Sequence, residues 1–266
     1  DPVPNDSSAV AALHEIEFCR DLNIQDPDPP YAPSLRAQLE SVWDDPPRIL
    51  TFHFGIPQVD MIQKAQLLNI LVGITATSED EAALIEEAGA DFIVAQGFEA
   101  GGHRGIFDPN GKDEELKTLD LIRLLSGITR LPLVAAGGIM NRNHILDALD
   151  AGAVAVQMGT AFLTCLESGA SSAHKKTLLK QKNRSTLFTR SFSGRPARAI
   201  ENEFIRLMSG KTILDFPIQN KLTTPLRKVA ARLDDPEYQS LWAGANFDEC
   251  RQETVSELIE RLGFGD

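Results

Sequence analysis

The chain has 266 residues, enough for one large α/β domain or two smaller ones, and 42% of the residues are hydrophobic. This composition excludes an intrinsically disordered protein. The formal net charge of -12 and the pI near 4.9 argue against binding to nucleic acid or to a membrane surface, because both partners require clustered Lys and Arg.

The cysteines are far apart in the sequence and form no CxxC pair: Cys19, Cys165 and Cys250. An odd number of isolated cysteines argues against a disulfide framework and against a zinc site, so we expect no metal centre. No apolar run approaches the roughly 20 residues that a membrane-spanning helix needs. We therefore expect a cytoplasmic protein, and the first residue, Asp1, indicates that a preceding segment was cleaved or left out.

Residues 1–47 are predicted to form a helical N-terminal segment. Hydrophobic spacing predicts helices over residues 8–22 and 34–43. Proline-rich stretches at 26–30 and 45–47 end them, because proline interrupts helices and favours extended connections. No catalytic pattern is present here.

Residues 48–168 show alternating strand and helix patterns. The strands are predicted to begin near residues 48, 70, 91, 131 and 153, so successive starts are about 22, 21, 40 and 22 residues apart. Helices are predicted between them over 59–68, 78–87, 118–126 and 141–149, the second opening with a capping box formed by Ser78 and Glu81. Strands this apolar must be covered on both faces, which predicts a parallel sheet with helices outside.

Glycines follow three of the predicted strands, at Gly97, Gly137 with Gly138, and Gly159. No GxGxxG fingerprint of a dinucleotide-binding fold follows a strand. In a TIM (β/α)8-type barrel, the ends of the last strands commonly hold a phosphate group. The sequence therefore favours a TIM barrel with a phosphate-bearing cofactor, of which about five strands are recognisable. Tight strand-to-helix turns are the simpler explanation of each glycine taken singly.

The loop after the third central strand contains Gly101, Gly102 and His103. Glycine allows the backbone to approach a ligand closely, and imidazole titrates near neutral pH, so His103 is a candidate acid or base. An ordinary glycine-rich turn carrying a solvated histidine is the alternative interpretation.

The remaining chain is predicted to be a helical added domain over residues 169–250, followed by a terminal helix over 251–266 that returns to the barrel. Helices are predicted over 170–182, 202–208, 222–233 and 254–262. A basic turn at 189–198 lies between them, and two interpretations stay open: it faces an anionic group, or it is a loop that is solvated or salt-bridged to the many acidic residues of the chain.

Four segments together resemble the nitronate monooxygenase family, formerly called 2-nitropropane dioxygenases. They are residues 96–105 (QGFEAGGHRG), 134–139 (VAAGGI), 156–162 (VQMGTAF) and 192–198 (FSGRPAR). The resemblance runs from about Ile49 to the C-terminus. It implies an FMN-dependent TIM barrel with an added helical domain, which oxidises alkyl nitronates with O2 to a carbonyl compound and nitrite.

The resemblance also implies site residues. His103 would be the active-site histidine, Gln96 and Gly101 would meet the flavin, and Gly138 with residues 157–160 would hold the ribityl phosphate. The full set of implied cofactor-binding residues is Gln96, Gly101, Gly102, Gly137, Gly138, Gln157, Met158, Gly159 and Thr160. The partners would be a small nitronate or nitroalkane and O2, and a homo-oligomer is compatible with the sequence.

The other histidines and the charges beside His103 are assigned from their positions in the predicted elements. His14, His144 and His174 fall on predicted helices and are expected at the surface, whereas His53 lies on a strand that reaches toward the barrel mouth. Glu99 and Arg104 either orient His103 or are exposed loop charges.

Two other functions stay open. The first is an FMN-dependent enoyl-acyl carrier protein reductase. It would need NAD(P)H and a basic surface for docking the acyl carrier, and the acidic composition of this chain gives no indication of such a surface. The second is an inactive half-barrel acting as a binding module, because a closed barrel of this type needs eight strands and only five are recognisable.

Overall fold

A computed structural model of the protein describes residues 7–263. Five parallel strands form its central sheet, and they lie side by side in the order in which they occur in the chain. They are β1 (Ile49–Phe52), β2 (Leu71–Ala76), β3 (Phe92–Gln96), β5 (Leu133–Ala136) and β6 (Ala155–Gln157). This arrangement confirms the five predicted strands and the parallel βα pattern, as a curled half-barrel sheet.

Helices connect the strands and cover the outer face of the sheet, as the apolar strands require. In chain order the helices are α1 (Ser7–His14), which packs against the C-terminal part instead, α2 (Leu35–Asp44), α3 (Val59–Leu67), α4 (Glu79–Glu87), α5 (Thr118–Ser126), α6 (Arg142–Asp150) and α7 (Thr160–Leu163). The core between sheet and helices is built from side chains such as Ile74, Ile93 and Leu121, each with no exposed surface.

The predicted capping box at the start of α4 is only half formed. Ser78 caps the helix by accepting a hydrogen bond from Glu81 N at 3.3 Å. The Glu81 carboxylate does not return to the cap. It is buried and accepts hydrogen bonds from Thr77 N at 2.6 Å and Phe107 N at 2.6 Å. Glu81 therefore anchors the loop that follows His103, because a buried carboxylate is stable only when hydrogen-bonded.

The C-terminal part is less purely helical than predicted. Its helices are α8 (Ser172–Lys180), α9 (Glu203–Leu207), α10 (Ile218–Leu222), α11 (Thr224–Arg232) and α12 (Val255–Leu262). The basic turn joins an antiparallel hairpin of β7 (Thr186–Thr189) and β8 (Ala197–Ile200), and β8 also pairs with β4 (Gly102–His103). The hairpin was missed because its strands contain only four residues each.

The helix predicted over residues 8–22 is split into α1 and a 3-10 turn at Glu17–Cys19. Both pack into a second core that joins Leu13 and Ile16 to Phe204 and Leu226 of the C-terminal part. The predicted domain boundaries at 47, 168 and 250 stay predictions.

Both outer strands of the central sheet have one neighbour among the described strands. Large apolar side chains are exposed beside these edges, including Ile49 on β1 and Val154 next to β6. Cys19, Cys165 and Cys250 are buried and free. No helix within residues 7–263 is long and apolar enough to span a bilayer.

Candidate active site

A cavity lies where the carboxyl ends of β3, β5 and β6 meet, with about 600 Å³ of empty space. We call it the strand-end cavity. Its lining includes eight of the nine cofactor-binding residues implied by the sequence, namely Gln96, Gly101, Gly137, Gly138, Gln157, Met158, Gly159 and Thr160. Ala100, Ala136, Ile139, Met140, Gly244 and Asn246 complete the lining, and Gly102 is not part of it.

The backbone of the strand-end cavity offers hydrogen-bond donors. Within the described residues, the main-chain N–H groups of Gly138 and Gly159 donate to no backbone carbonyl. A Cβ built on Gly159 would meet nothing within 4 Å, so this side of the turn faces open space. N–H groups without a backbone acceptor beside an open polar cavity suit an anionic group such as a phosphate.

Gly101 is required for a reason that the sequence did not reveal. A Cβ at this position would lie 2.4 Å from the backbone atoms of both Ala243 and Gly244. The absence of a Cβ at Gly101 therefore lets the backbone of the His103 loop pack closely against the backbone of Ala243 and Gly244. Gly102, with φ of +76°, supplies a left-handed turn instead.

Residues 243–246 were missed as site residues. Asn246 donates from Nδ2 to Gly138 O at 2.7 Å, Gly244 N donates to Thr160 Oγ1 at 3.0 Å, and Ala245 N donates to Glu99 O at 2.9 Å. This segment closes one wall of the strand-end cavity. No local sequence signal could have identified it, because its partners are about 85 to 145 positions away.

His103 lies on β4, beside the strand-end cavity. Its ring is surrounded by those of Phe54, Phe216 and Trp242, with centroids 5.5, 5.9 and 5.4 Å away. Burial, reinforced by the positive field of His53 and two arginines, lowers the pKa of His103 to about 4. The imidazole is therefore neutral at neutral pH and can accept a proton.

Ser193 orients the His103 ring. Its Oγ lies 2.8 Å from His103 Nε2 and 3.2 Å from Arg195 O. The serine hydroxyl has a single proton. When that proton is donated to Arg195 O, the Nε2–H of His103 donates to Ser193 and Nδ1 remains as the basic nitrogen.

Gln96 connects the strand-end cavity to the His103 loop. Its Nε2 donates to His103 O at 3.1 Å, and its Oε1 accepts from Gly105 N at 2.7 Å. His53 reaches the same carbonyl, with Nε2 3.2 Å from His103 O, and Nδ1 lies 3.0 Å from Thr75 Oγ1. Burial, the largest cause, lowers the pKa of His53. His53 directly follows β1, and its side chain contacts the loop backbone rather than the cavity.

The charged side chains of Glu99 and Arg104, which flank His103, form hydrogen bonds within the protein instead of extending into solvent. Arg104 is 1% exposed and donates to both carboxylate oxygens of Asp113, at 2.7 and 2.9 Å. Glu99 accepts hydrogen bonds from Thr118 N at 2.9 Å and Thr118 Oγ1 at 3.1 Å, at the start of α5. Both residues therefore fix the loop around His103.

The basic turn is not a solvated loop. Ser193, Arg195 and Arg198 are all buried. The Arg195 guanidinium lies 4.2 Å from the Phe54 ring and donates to Ile106 O, while Arg198 donates to Phe98 O at 2.7 Å. The turn therefore brings two cations to the loops that surround the site.

The expectation of a surface position is wrong for His174, which is 9% exposed. His14 and His144 are partly buried, and His14 Nε2 lies 3.2 Å from Ile24 O. Among the described residues, no group of three His, Cys, Asp or Glu side chains is arranged to hold a metal ion.

Comparisons with known proteins agree on one family. The sequence model of the family described as "Nitronate monooxygenase" matches residues 9–264. A nitronate monooxygenase from Pseudomonas aeruginosa is 41% identical over 227 residues, which cover 84% of this chain and 65% of the relative. A second from Paraburkholderia phytofirmans is 40% identical over 229 residues, which cover 85% of this chain and 63% of the relative. The chain thus spans less than two thirds of the length of these relatives.

Solved structures of related proteins also resemble this chain. A nitroalkane oxidase from Streptomyces ansochromogenes superposes with a TM-score of 0.89 at 36% identity, covering 98% of this chain and 77% of its own. FabK from Thermotoga maritima is less similar, with a TM-score of 0.72 at 27% identity, covering 87% of this chain and 71% of its own. The half-barrel sheet, the strand-end cavity and these similarities together show that the chain belongs to the nitronate monooxygenase family.

Proposed function

We propose that the protein oxidises alkyl nitronates, and the nitroalkanes from which they form, with O2 and FMN to give a carbonyl compound and nitrite. The observation that carries this proposal is the junction of the strand-end cavity with the His103 loop through Gln96. One face of Gln96 lines the cavity, and its amide binds the His103 carbonyl. A cofactor in the cavity would therefore lie beside the candidate base.

The residues of the strand-end cavity fit a flavin mononucleotide. The N–H groups of Gly138 and Gly159 would receive the phosphate, and Thr160 and Gln157 would add polar contacts at the same end. Gln96 and Gly101, at the other end, would contact the ring system. When bound, the flavin supplies the redox chemistry, while the protein positions it and tunes its surroundings.

His103 supplies the proton chemistry. A neutral imidazole beside the cavity can remove the Cα proton of a nitroalkane, which generates the nitronate. The rings of Phe54, Phe216 and Trp242 form an apolar wall that suits an alkyl substituent and excludes water. The low pKa of His103 keeps it in the basic form across the neutral range.

The name of the nitroalkane oxidase neighbour supports this chemistry over the alternatives. An enoyl-acyl carrier protein reductase would consume NADH in the presence of an enoyl thioester, and a binding module would bind no flavin under any condition. Each alternative therefore predicts an outcome that the proposed function does not.

The experiment begins with the visible spectrum of the purified chain before and after addition of FMN. We expect a flavin spectrum shifted from that of free FMN, followed by O2 uptake and nitrite formation when an alkyl nitronate is added. Absence of flavin binding, or flavin binding with NADH-dependent reduction of an enoyl thioester and no nitrite, would refute the proposed function.

A further inference from the structure

The turn after β1 holds Phe54 in a backbone conformation that a bulky residue rarely adopts. Its φ is +70°, in the left-handed region. Within residues 7–263, the other non-glycine residues with positive φ are Asn69, Glu115 and Asp234, whose side chains are polar. A large aromatic side chain in this region is an outlier. Such strain persists only where the surrounding structure fixes it, and it clusters at ligand sites, so the placement of the Phe54 ring calls for an explanation.

The strained backbone places the Phe54 ring against His103. The two ring centroids are 5.5 Å apart, and the ring planes are nearly perpendicular, at 82°. The ring of Phe216 lies 5.5 Å from that of Phe54 and 5.9 Å from that of His103. The three rings therefore form a triangle, in which His103 has two aromatic neighbours that also contact each other.

The face of the Phe54 ring is held as well. The guanidinium of Arg195 lies 4.2 Å from the ring centroid, which is a cation–π contact. Arg195 is 6% exposed and donates to Ile106 O, so its own position is fixed. The His53 ring adds a second contact, with centroids 4.5 Å apart. Phe54 is thus held through its backbone and through its side chain, and it resists displacement by a ligand.

The rings around His103 keep part of their surface open. Phe54, His103, Phe216 and Trp242 are all partly exposed. Phe192, whose ring centroid lies 5.7 Å from that of Trp242, has no exposed surface. Open aromatic surface around one imidazole is what the apolar part of a small ligand covers when it binds. The aromatic wall at His103 is therefore a ligand surface, whereas Phe192 behind it belongs to the core.

The distances at this wall limit the size of a ligand. A carbon atom that gives a proton to His103 must come within about 3 Å of a ring nitrogen. Because the centroids of Phe54 and Phe216 are 5.5 and 5.9 Å from that of His103, a substituent longer than an ethyl group on this carbon would reach one of the two rings. Forcing extra methylene groups against a fixed ring is unfavourable.

We propose that Phe54 is a specificity-determining residue, which limits the length and branching of the alkyl group on the carbon that His103 deprotonates. The site therefore favours short, unbranched nitroalkanes. This inference rests on the proposed function. It adds the size of the substrate and the residue that sets it.

The first test measures ligand size without turnover. Linear alkyl carboxylates, whose planar carboxylate has the shape of a nitro group, are titrated into the full chain while the ring signals of His103 are followed by NMR. An unrestricted apolar site would bind each longer homologue about fourfold more tightly per methylene. We expect the opposite in wild type, with a Kd for hexanoate about tenfold higher than for propionate. In Phe54→Ala, hexanoate should bind at least as tightly as propionate.

Two variants separate the role of the ring from a general disturbance. Phe188→Ala removes a phenylalanine ring from β7, where it packs on Phe98 with centroids 4.7 Å apart, and it should keep the wild-type preference for propionate. Phe54→Gly removes both the ring and the strain, because glycine adopts positive φ readily. It should show the relaxed size preference of Phe54→Ala but melt about 2–4 °C higher than that variant.

The second test measures nitrite release. Phe54→Ala should raise the ratio of kcat/KM for 1-nitrohexane to that for nitroethane by about tenfold, whereas Phe188→Ala should leave this ratio unchanged. Tighter binding of hexanoate than of propionate by the wild-type chain would overturn the inference. An unchanged size preference in Phe54→Ala and Phe54→Gly would overturn it as well.

A chain that discriminates between the carboxylates as expected, but releases no nitrite from any nitroalkane or nitronate, would support the size limit and refute the proposed function. The two failures are therefore distinguishable. If Phe54→Ala does not fold, Phe54→Gly takes its place in both tests, because its backbone is unstrained.

Discussion

His174 should make the stability of the folded chain depend on pH. It lies on α8 and is 9% exposed, and its Nε2 has no hydrogen-bond partner among the described residues. Burial lowers its pKa to about 4, and a hydrogen bond with the backbone of Trp242 offsets this only in part. A proton on this ring would place an unpaired charge in the interior.

The size and sign of the effect follow from the two pKa values. The unfolded chain has an ordinary histidine with a pKa of 6.5, and the folded chain has one of about 4. The unfolded state therefore binds more protons between these values, so stability is complete above about pH 6.5 and falls as the pH decreases toward 4. A difference of roughly 2.5 units corresponds to about 3 kcal/mol of unfolding free energy.

The assay is urea denaturation of the full chain at several pH values between 7.5 and 4.5. His53 and His103 titrate in the same direction, so the wild-type slope contains their contributions as well. His174→Gln should reduce the slope by about 1.1 kcal/mol per pH unit between pH 6 and 5. His144→Gln, which removes a partly exposed imidazole, is the matched control. Parallel pH profiles for wild type and His174→Gln would refute the reasoning.

Three further substitutions test the site. His103→Asn should retain flavin but lower nitroalkane turnover by roughly 10²–10⁴-fold, measured as nitrite release, because the proton acceptor is lost; unchanged turnover would exclude the assigned role. Gly159→Asp should abolish FMN binding by placing a negative charge against the phosphate, whereas Gly169→Asp, also in open space, should not. Normal flavin content in Gly159→Asp would contradict the assignment of the strand-end cavity as the FMN site. Gly101→Ala should cost about 1–3 kcal/mol, because its Cβ would meet the Ala243 backbone, and an unchanged melting temperature would contradict that contact.

Much of the central sheet could be predicted from local sequence. The run 91–96 predicts a buried strand, and the structure places β3 at Phe92–Gln96 with every residue buried. Gly89 follows the preceding helix α4, as glycine commonly does at a helix C-terminus, and its φ of +79° is one that glycine adopts without strain. Such signals depend on residues within one or two turns of each other, so a single sequence contains them.

The partners of individual side chains could not be predicted in this way. The Ser78–Glu81 pattern is typical of a capping box, yet the Glu81 carboxylate binds Phe107 N, 26 positions away. His174 has the sequence context of a surface helix, and only the packing of α8 reveals that it is buried. In both cases the local pattern was compatible with two outcomes, and burial in the folded core selected one.

The sequence by itself determined the βα repeat, the glycine turns at three strand ends and the histidine in the loop after the first of these turns, because each depends on hydrophobic periodicity or backbone freedom in a short segment. Only the tertiary structure decided what surrounds that histidine. Ser193 lies 90 positions from His103, and Asn246 lies 108 positions from Gly138. Contacts of this range form when separate elements pack into a shared core, and the arrangement of that core is a property of the whole chain rather than of any motif.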